Sequence, residues 1–176
     1  QFSISVLKGL IMDAVRKANS GHPGGAMSSA DFIYLLFKDY LKFDPKDPNW
    51  FDRDRFILSG GHMSMLQYSI LHLVGWMKLS EIKKFRQLGS HTPGHPEVEI
   101  PGVECTTGPL GQGFAMGVGM ALAEAYLSSL ISNDDKDSKK LIDHFTYVLA
   151  TDGDLQEPVA LGAAAIAGHL GLNKLV

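Results

Sequence analysis

The chain has 176 residues, 45% hydrophobic and 20% charged, a composition that gives room for one globular domain with a real core. A net charge of -3 leaves no basic excess for a polyanion, so nucleic acid is not an implied partner, and no apolar run is read as reaching the ~20 residues that span a bilayer. Cys105 is the only cysteine, which excludes an intrachain disulfide and points to a reducing compartment.

Ile4, Leu7, Ile11, Ala14 and Ala18 recur at helical spacing and predict an amphipathic helix closed by Asn19-Ser20-Gly21. His22-Pro23-Gly24-Gly25 reads as a tight loop. Ser28 and Asp31 have the spacing of a capping box that would open a second helix. Arg53-Asp54-Arg55 is a charged approach to a buried strand, Phe56-Ile57-Leu58. Ser59-Gly60-Gly61-His62 then turns into a helix over 63–74. At that helix N-terminus His62 would either contact an anion or cap the helix. His72 reads as a packed core histidine, and Ser80 as the cap of a short helix over 81–88.

From 89 to 113 there is no periodicity, only repeated Pro and Gly, and aperiodic stretches this long are often functional. A helix rich in small residues follows (Ala115, Gly117, Gly119, Ala121, Ala123, Ala125), suited to close packing within the domain or at a subunit interface. Residues 132–140 read as a solvated linker, and His144 as a surface residue.

Val148-Leu149-Ala150 predicts a strand buried on both faces, ending at Thr151. Asp152-Gly153-Asp154 reads as an acidic turn, with Asp154 directed to solvent or to a helix start. An apolar, Ala-rich buried helix runs from about Pro158 to a stop at Gly171, and 173–176 begins another strand. Strand, acidic glycine turn and helix place ligands outside the strand ends of an open α/β sheet. Asp152 offers oxygen to a hard cation, and Gly153 lets a bulky phosphate approach the backbone. The first residue is Gln1 and the last strand is unfinished, so the chain is expected to be part of a longer polypeptide, truncated at its C-terminal end.

His22, His62 and His95 each lie in a loop bearing Gly or Pro. With Asp152 they allow two chemistries. One is a hydrolytic metal centre, for which His91 and His95 have a ligand-like spacing. The other is hydrogen bonding and proton transfer on a polyhydroxylated or phosphorylated ligand.

Nine stretches resemble the N-terminal part of the transketolases. They are Lys17 to Gly24, Arg53 to Ser59, Gly61-His62, Phe85 to Gly89, Thr92 to Glu97, Pro101 to Glu104, Thr106 to Gly113, Asp152-Gly153, and Leu155 to Glu157. They stand in family order and span nearly the whole chain. The resemblance implies that 1–176 is the diphosphate-binding domain, an α/β, three-layer thiamine-diphosphate-binding fold with a mostly parallel sheet and helices on both faces. It implies a transferase that moves a two-carbon ketol unit between sugar phosphates in the pentose phosphate pathway, using thiamine diphosphate and Mg2+ or Ca2+. By the family pattern Asp152 is the metal ligand. His62, Gly108, Pro109, Leu110 and Gly153 contact the cofactor. His22 and His95 face the sugar, and Glu157 joins a carboxylate network at the dimer interface. The expected partner is a pyrimidine-binding domain on the same or a second chain, in a homodimer or heterotetramer, in the cytoplasm, with organellar targeting left open. The segment alone is expected to be inactive. Relatives with dihydroxyacetone synthase or deoxyxylulose-phosphate synthase activity, or a non-catalytic paralogue, are the alternatives. The chain departs from the family at Thr151 and Pro158, where glycine is usual, and at Gly60, where a side chain is usual.

Overall fold

The computed structural model describes residues 1–131 and 141–176, so the linker read at 132–140 lies outside the described residues. The first helix, α1 (Phe2–Ala18), buries Leu7, Ile11 and Ala14, and Asn19 ends it in the left-handed region at φ 49°. α2 (Pro23–Ser28) replaces the expected tight loop, because Pro23 at the first helical position removes no intrahelical hydrogen bond. Ser28 therefore ends a helix instead of opening one. Its hydroxyl donates to Gly25 O, and Asp31 pairs with Lys8 rather than closing a capping box. α3 (Ala30–Leu35) runs into a π-helical turn, Leu36–Tyr40.

Strand β1 (Arg55–Leu58) leads through a 3-10 turn, Gly61–Met63, into α4 (Ser64–Val74). Ser80 lies inside the single turn α5 (Leu79–Ile82), which Lys78 precedes, so it caps nothing. His72 is half-buried, with Nδ1 2.8 Å from Met77 O. After the aperiodic segment come α6 (Gln112–Ile131), β2 (Thr146–Leu149), the short α7 (Asp152–Gln156) and α8 (Pro158–Leu170).

β1 and β2 are parallel, in register from Arg55–Thr146 to Leu58–Leu149. The end of the chain lies on the other edge of β2. Thr146 N–H donates to Lys174 O and Val176 N–H to Thr146 O, both at 2.9 Å, so the expected next strand begins there. Strand alternation sorts the faces. Phe56, Leu58, Tyr147 and Leu149 join the main core with α1, α3 and α4. Ile57 and Val148 face α6, so close that a Cβ on Gly117 would lie 2.4 Å from Val148 Cγ2. This is the predicted parallel sheet with helices on both faces. Ala150 falls outside β2, and Tyr147, Val148 and Leu149 are half-buried rather than fully buried.

The approaches to the strands are also buried. Asp52 and Asp54 accept the backbone N–H groups of Asp143 and Phe145 at 2.8 and 2.7 Å. His144, read as a surface residue, is buried with Nδ1 3.2 Å from Asp52 Oδ1. By length and composition α6 could cross a membrane, against the expectation of no such run. Here it packs on β1, β2 and α8, and its one charged residue, Glu124, is buried and accepts from Lys174 at 2.6 Å. α8 is not the buried helix predicted. Only Ala160 and Ala167 are buried, along the side that meets α6 and α7, while Leu161, Ile166 and Leu170 are exposed.

Candidate functional site

Both strands release their chains at the same end of the sheet. From β1 the backbone passes Ser59 and Gly60 into the Gly61–Met63 turn; from β2 it passes Thr151 into α7. The two exits touch: a Cβ on Gly60 would lie 2.7 Å from Thr151 Cγ2.

The aperiodic segment crosses the same end, held by side-chain bonds where it has no backbone ladder. Thr92 Oγ1 donates to Glu81 O at 2.8 Å, and Tyr68 Oη donates to His95 O at 3.1 Å. Glu104 pairs with Arg53, and Thr107 Oγ1 donates to Leu58 O at 2.9 Å. Gly61 and Gly108 then meet directly. A Cβ on Gly61 would lie 2.6 Å from Thr107 Oγ1 and 2.9 Å from Gly108 N, so only glycine fits there.

The three loop histidines gather around this point. The His22 and His62 rings meet edge to face, with centroids 5.3 Å apart. A Cβ on Gly108 would lie 3.6 Å from the His95 ring, which places His95 on the Gly108 backbone. Burial, then the positive charge of Arg86, then His22 and His62, hold the His95 imidazole below its ordinary pKa. A cavity of about 560 Å3 opens beside His95, lined by Ser20, Arg86, Leu88, Pro93 and Gly94. His91 stands apart from the other histidines in its contacts, exposed and 3.8 Å from Glu81. Among the described residues no three His, Cys, Asp or Glu side chains are grouped so that they could hold a metal by themselves.

Leu110 reaches the β2 exit, since a Cβ on Gly153 would lie 3.1 Å from Leu110 Cδ1. Glu157 sits beside the same loop; a Cβ on Gly111 would lie 2.7 Å from Glu157 Cβ. Pro109 is exposed between Gly108 and Leu110. Asp152 is exposed at the start of α7, and among the described residues its carboxylate takes no side-chain hydrogen bond.

Asp152-Gly153-Asp154 is the first turn of α7, not a free turn, and Asp154 does not point to solvent. Its side chain is fully buried. Thr151, at φ -100°, caps α7 in a reciprocal capping box with Asp154, so no positive φ is needed where the family has glycine. Asp154 Oδ1 accepts from Ser59 Oγ at 2.9 Å and from Gly111 N at 2.8 Å. Oδ2 accepts from Thr151 N at 2.8 Å and from Thr151 Oγ1 at 2.9 Å. Burial would raise this carboxyl's pKa, but the N–H groups of Gly111 and Thr151 and the two hydroxyls outweigh it and hold the pKa low. Pro158 takes the first position of α8, as expected for a proline there. Ser59 and Thr107 carry this architecture without a reading as site residues in the sequence, and Asp154, read there only as directed to solvent or to a helix start, is signalled by the Thr-x-x-Asp spacing alone.

Comparison with known proteins agrees with this geometry. Residues 1–176 match the family described as "Transketolase, thiamine diphosphate binding domain". The chain is 53% identical over 177 residues to the transketolase of Staphylococcus epidermidis, covering 100% of this chain and 26% of that protein. It is 54% identical over 174 residues to transketolase 2 of Escherichia coli, covering 98% of this chain and 26% of that protein. A mutant transketolase structure from Pichia stipitis superposes with a TM-score of 0.94 at 48% identity, covering 99% of this chain and 26% of that one. The chain thus spans about a quarter of the length of the relatives it matches. With the loop order, the strand-end convergence and this similarity in agreement, the chain belongs to the transketolase family.

Proposed function

We propose that residues 1–176 are the diphosphate-binding domain of a transketolase whose complete polypeptide moves a two-carbon ketol unit from a ketose phosphate to an aldose phosphate. The observation that carries this reading is the meeting of Gly61-His62, Gly108 and Asp152-Gly153, from three separate segments, beyond the carboxyl ends of two parallel strands. Solved Pichia stipitis transketolases include complexes with xylulose-5-phosphate, fructose-6-phosphate and sedoheptulose-7-phosphate, which supports sugar phosphates as the substrate class.

The donor chemistry fits a diphosphate and its cation. Gly61 and Gly108 keep side chains away from the meeting point, and His62 brings an imidazole donor to it. Asp152 is an exposed carboxylate free to ligate Mg2+ or Ca2+, with the other oxygens supplied by the diphosphate and by residues outside this segment. Pro109, Leu110 and Gly153 would line the same pocket. When bound, thiamine diphosphate supplies the nucleophilic carbon and the electron sink for C–C cleavage.

The chain's own residues bind, orient and move protons. His95, its pKa held down, is neutral at pH 7 and can accept a proton from a sugar hydroxyl at the cavity mouth. His22, against His62, would hydrogen-bond the sugar from the other side. Glu157, beside Gly111, would join the carboxylate network at a dimer interface. The partner is a pyrimidine-binding domain of the same or a second chain, in a homodimer or heterotetramer in the cytoplasm. A transfer assay with the complete polypeptide, thiamine diphosphate, Mg2+, a ketose phosphate and an aldose phosphate should show cofactor-dependent ketol transfer. No transfer by the folded, complete polypeptide would favour a non-catalytic paralogue.

A further inference from the structure

We propose that Asp154 is a positioning residue that locks the three segments of the candidate cofactor site into one register. This role rests on the cofactor reading above.

Its carboxylate takes hydrogen bonds from all three segments: from Ser59 at the β1 exit, from Gly111 beside Leu110, and from Thr151 beside Asp152. Each anchored residue lies within three positions of one assigned to the cofactor or metal. Asp154 and Ser59 are both fully buried, so water cannot replace these bonds.

The proton directions are fixed. Ser59 Oγ accepts from Phe114 N at 2.9 Å, which leaves its own proton for Asp154 Oδ1. Thr151 Oγ1 accepts from Asp154 N at 3.3 Å, which leaves its proton for Oδ2. The other two donors are backbone N–H groups. Four donors therefore converge on one side chain, and only two acceptor oxygens satisfy them all.

An asparagine at 154 has the same shape but the wrong pattern. Whichever way its amide turns, the NH2 faces a backbone N–H, of Gly111 or of Thr151. One loop must then move away, and small displacements of positioning groups carry large costs in a preorganised site. The segment at Gly111 has little room to follow on the Glu157 side, because even a Cβ on Gly111 would lie 2.7 Å from Glu157 Cβ.

The test is Asp154→Asn in the complete enzyme, with thiamine diphosphate titrated calorimetrically at saturating Mg2+, beside the thermal midpoint of the cofactor-free protein. The expected result is a Kd raised about tenfold or more, with the KM for the ketose phosphate at saturating cofactor little changed. A merely structural Asp154 would lower the thermal midpoint and leave the Kd unchanged, and that result overturns the proposal. If Asp154→Asn does not accumulate folded, Ser59→Ala removes one donor and keeps the carboxylate. It should raise the Kd about threefold, and an unchanged Kd there overturns the proposal too. Failure of the unsubstituted enzyme to bind thiamine diphosphate would instead overturn the cofactor reading itself.

Discussion

Gly60 and Thr151 share one space: a Cβ on Gly60 would lie 2.7 Å from the Thr151 γ-methyl. The absence of a side chain at 60 is what leaves room for the Thr151 methyl. Gly60→Ala should destabilise the fold by about 1–3 kcal/mol through overpacking. Thr151→Ser keeps the capping hydroxyl and removes the methyl, so the double substitution should recover most of that loss. Urea unfolding of the four proteins checks this; additive effects would mean that the two positions do not compete for the space.

Asp152 and Asp154 should separate cleanly. Asp152 is exposed and Asp154 is fully buried under four hydrogen bonds. Asp152→Ala should leave the unfolding free energy of the cofactor-free enzyme within about 0.5 kcal/mol of the parent's. Its Mg2+-dependent cofactor affinity should fall at least about tenfold if, as proposed, the Asp152 carboxylate ligates the cation. A large loss of stability with unchanged metal dependence would mean that Asp152 is structural.

The histidines should divide by loop. His95 lies on the Gly108 backbone beside the open cavity, while His62 lies in the turn that opens α4. His95→Ala should lower turnover more than cofactor affinity, and His62→Ala should chiefly weaken cofactor binding. Because burial, Arg86 and the neighbouring histidines lower the pKa of His95, it gains its proton at a lower pH than an ordinary histidine, so its part in turnover should persist at pH 7 and fade as pH drops. Loss of cofactor binding with intact turnover per bound cofactor in His95→Ala would reverse the two roles.

Cys105 should be chemically quiet. Burial, then the charge of Glu104, push its thiol up to about 11, so at pH 8 only about one thiol in a thousand is ionised. Alkylation by iodoacetamide at pH 8 should be slow in the native complete enzyme and fast in denaturant. Equal rates would mean that the segment around Cys105 is open.

Much of the site was legible in its motifs, because glycine, proline and histidine in aperiodic segments report backbone demands directly. Gly61, Gly108 and Asp152-Gly153 converge at one sheet end, where the strand–glycine turn–helix pattern places ligand loops. Local hydrogen bonding was less legible. Ser/Thr-x-x-Asp occurs at Ser28–Asp31 and at Thr151–Asp154, but only the second forms a capping box. At the first, Asp31 finds Lys8 on α1, a tertiary partner that spacing cannot reveal. Asp154 reads from the sequence as directed to solvent or to a helix start; the α7 capping box is the second of these, while its burial depends on Ser59, 95 residues away in the chain. The burial of His144 likewise depends on Asp52, 92 residues distant. α2 was missed because two glycines obscured a helix that Pro23 starts.

Assembly of the cofactor site by these three segments is tested most directly by a crystal structure of the complete enzyme grown with thiamine diphosphate and Mn2+, with anomalous differences recorded for the metal. A peak is expected at the Asp152 carboxylate, with the diphosphate lying between His62, Gly108 and Gly153. A metal peak away from Asp152, or a diphosphate that touches none of these three segments, would contradict it.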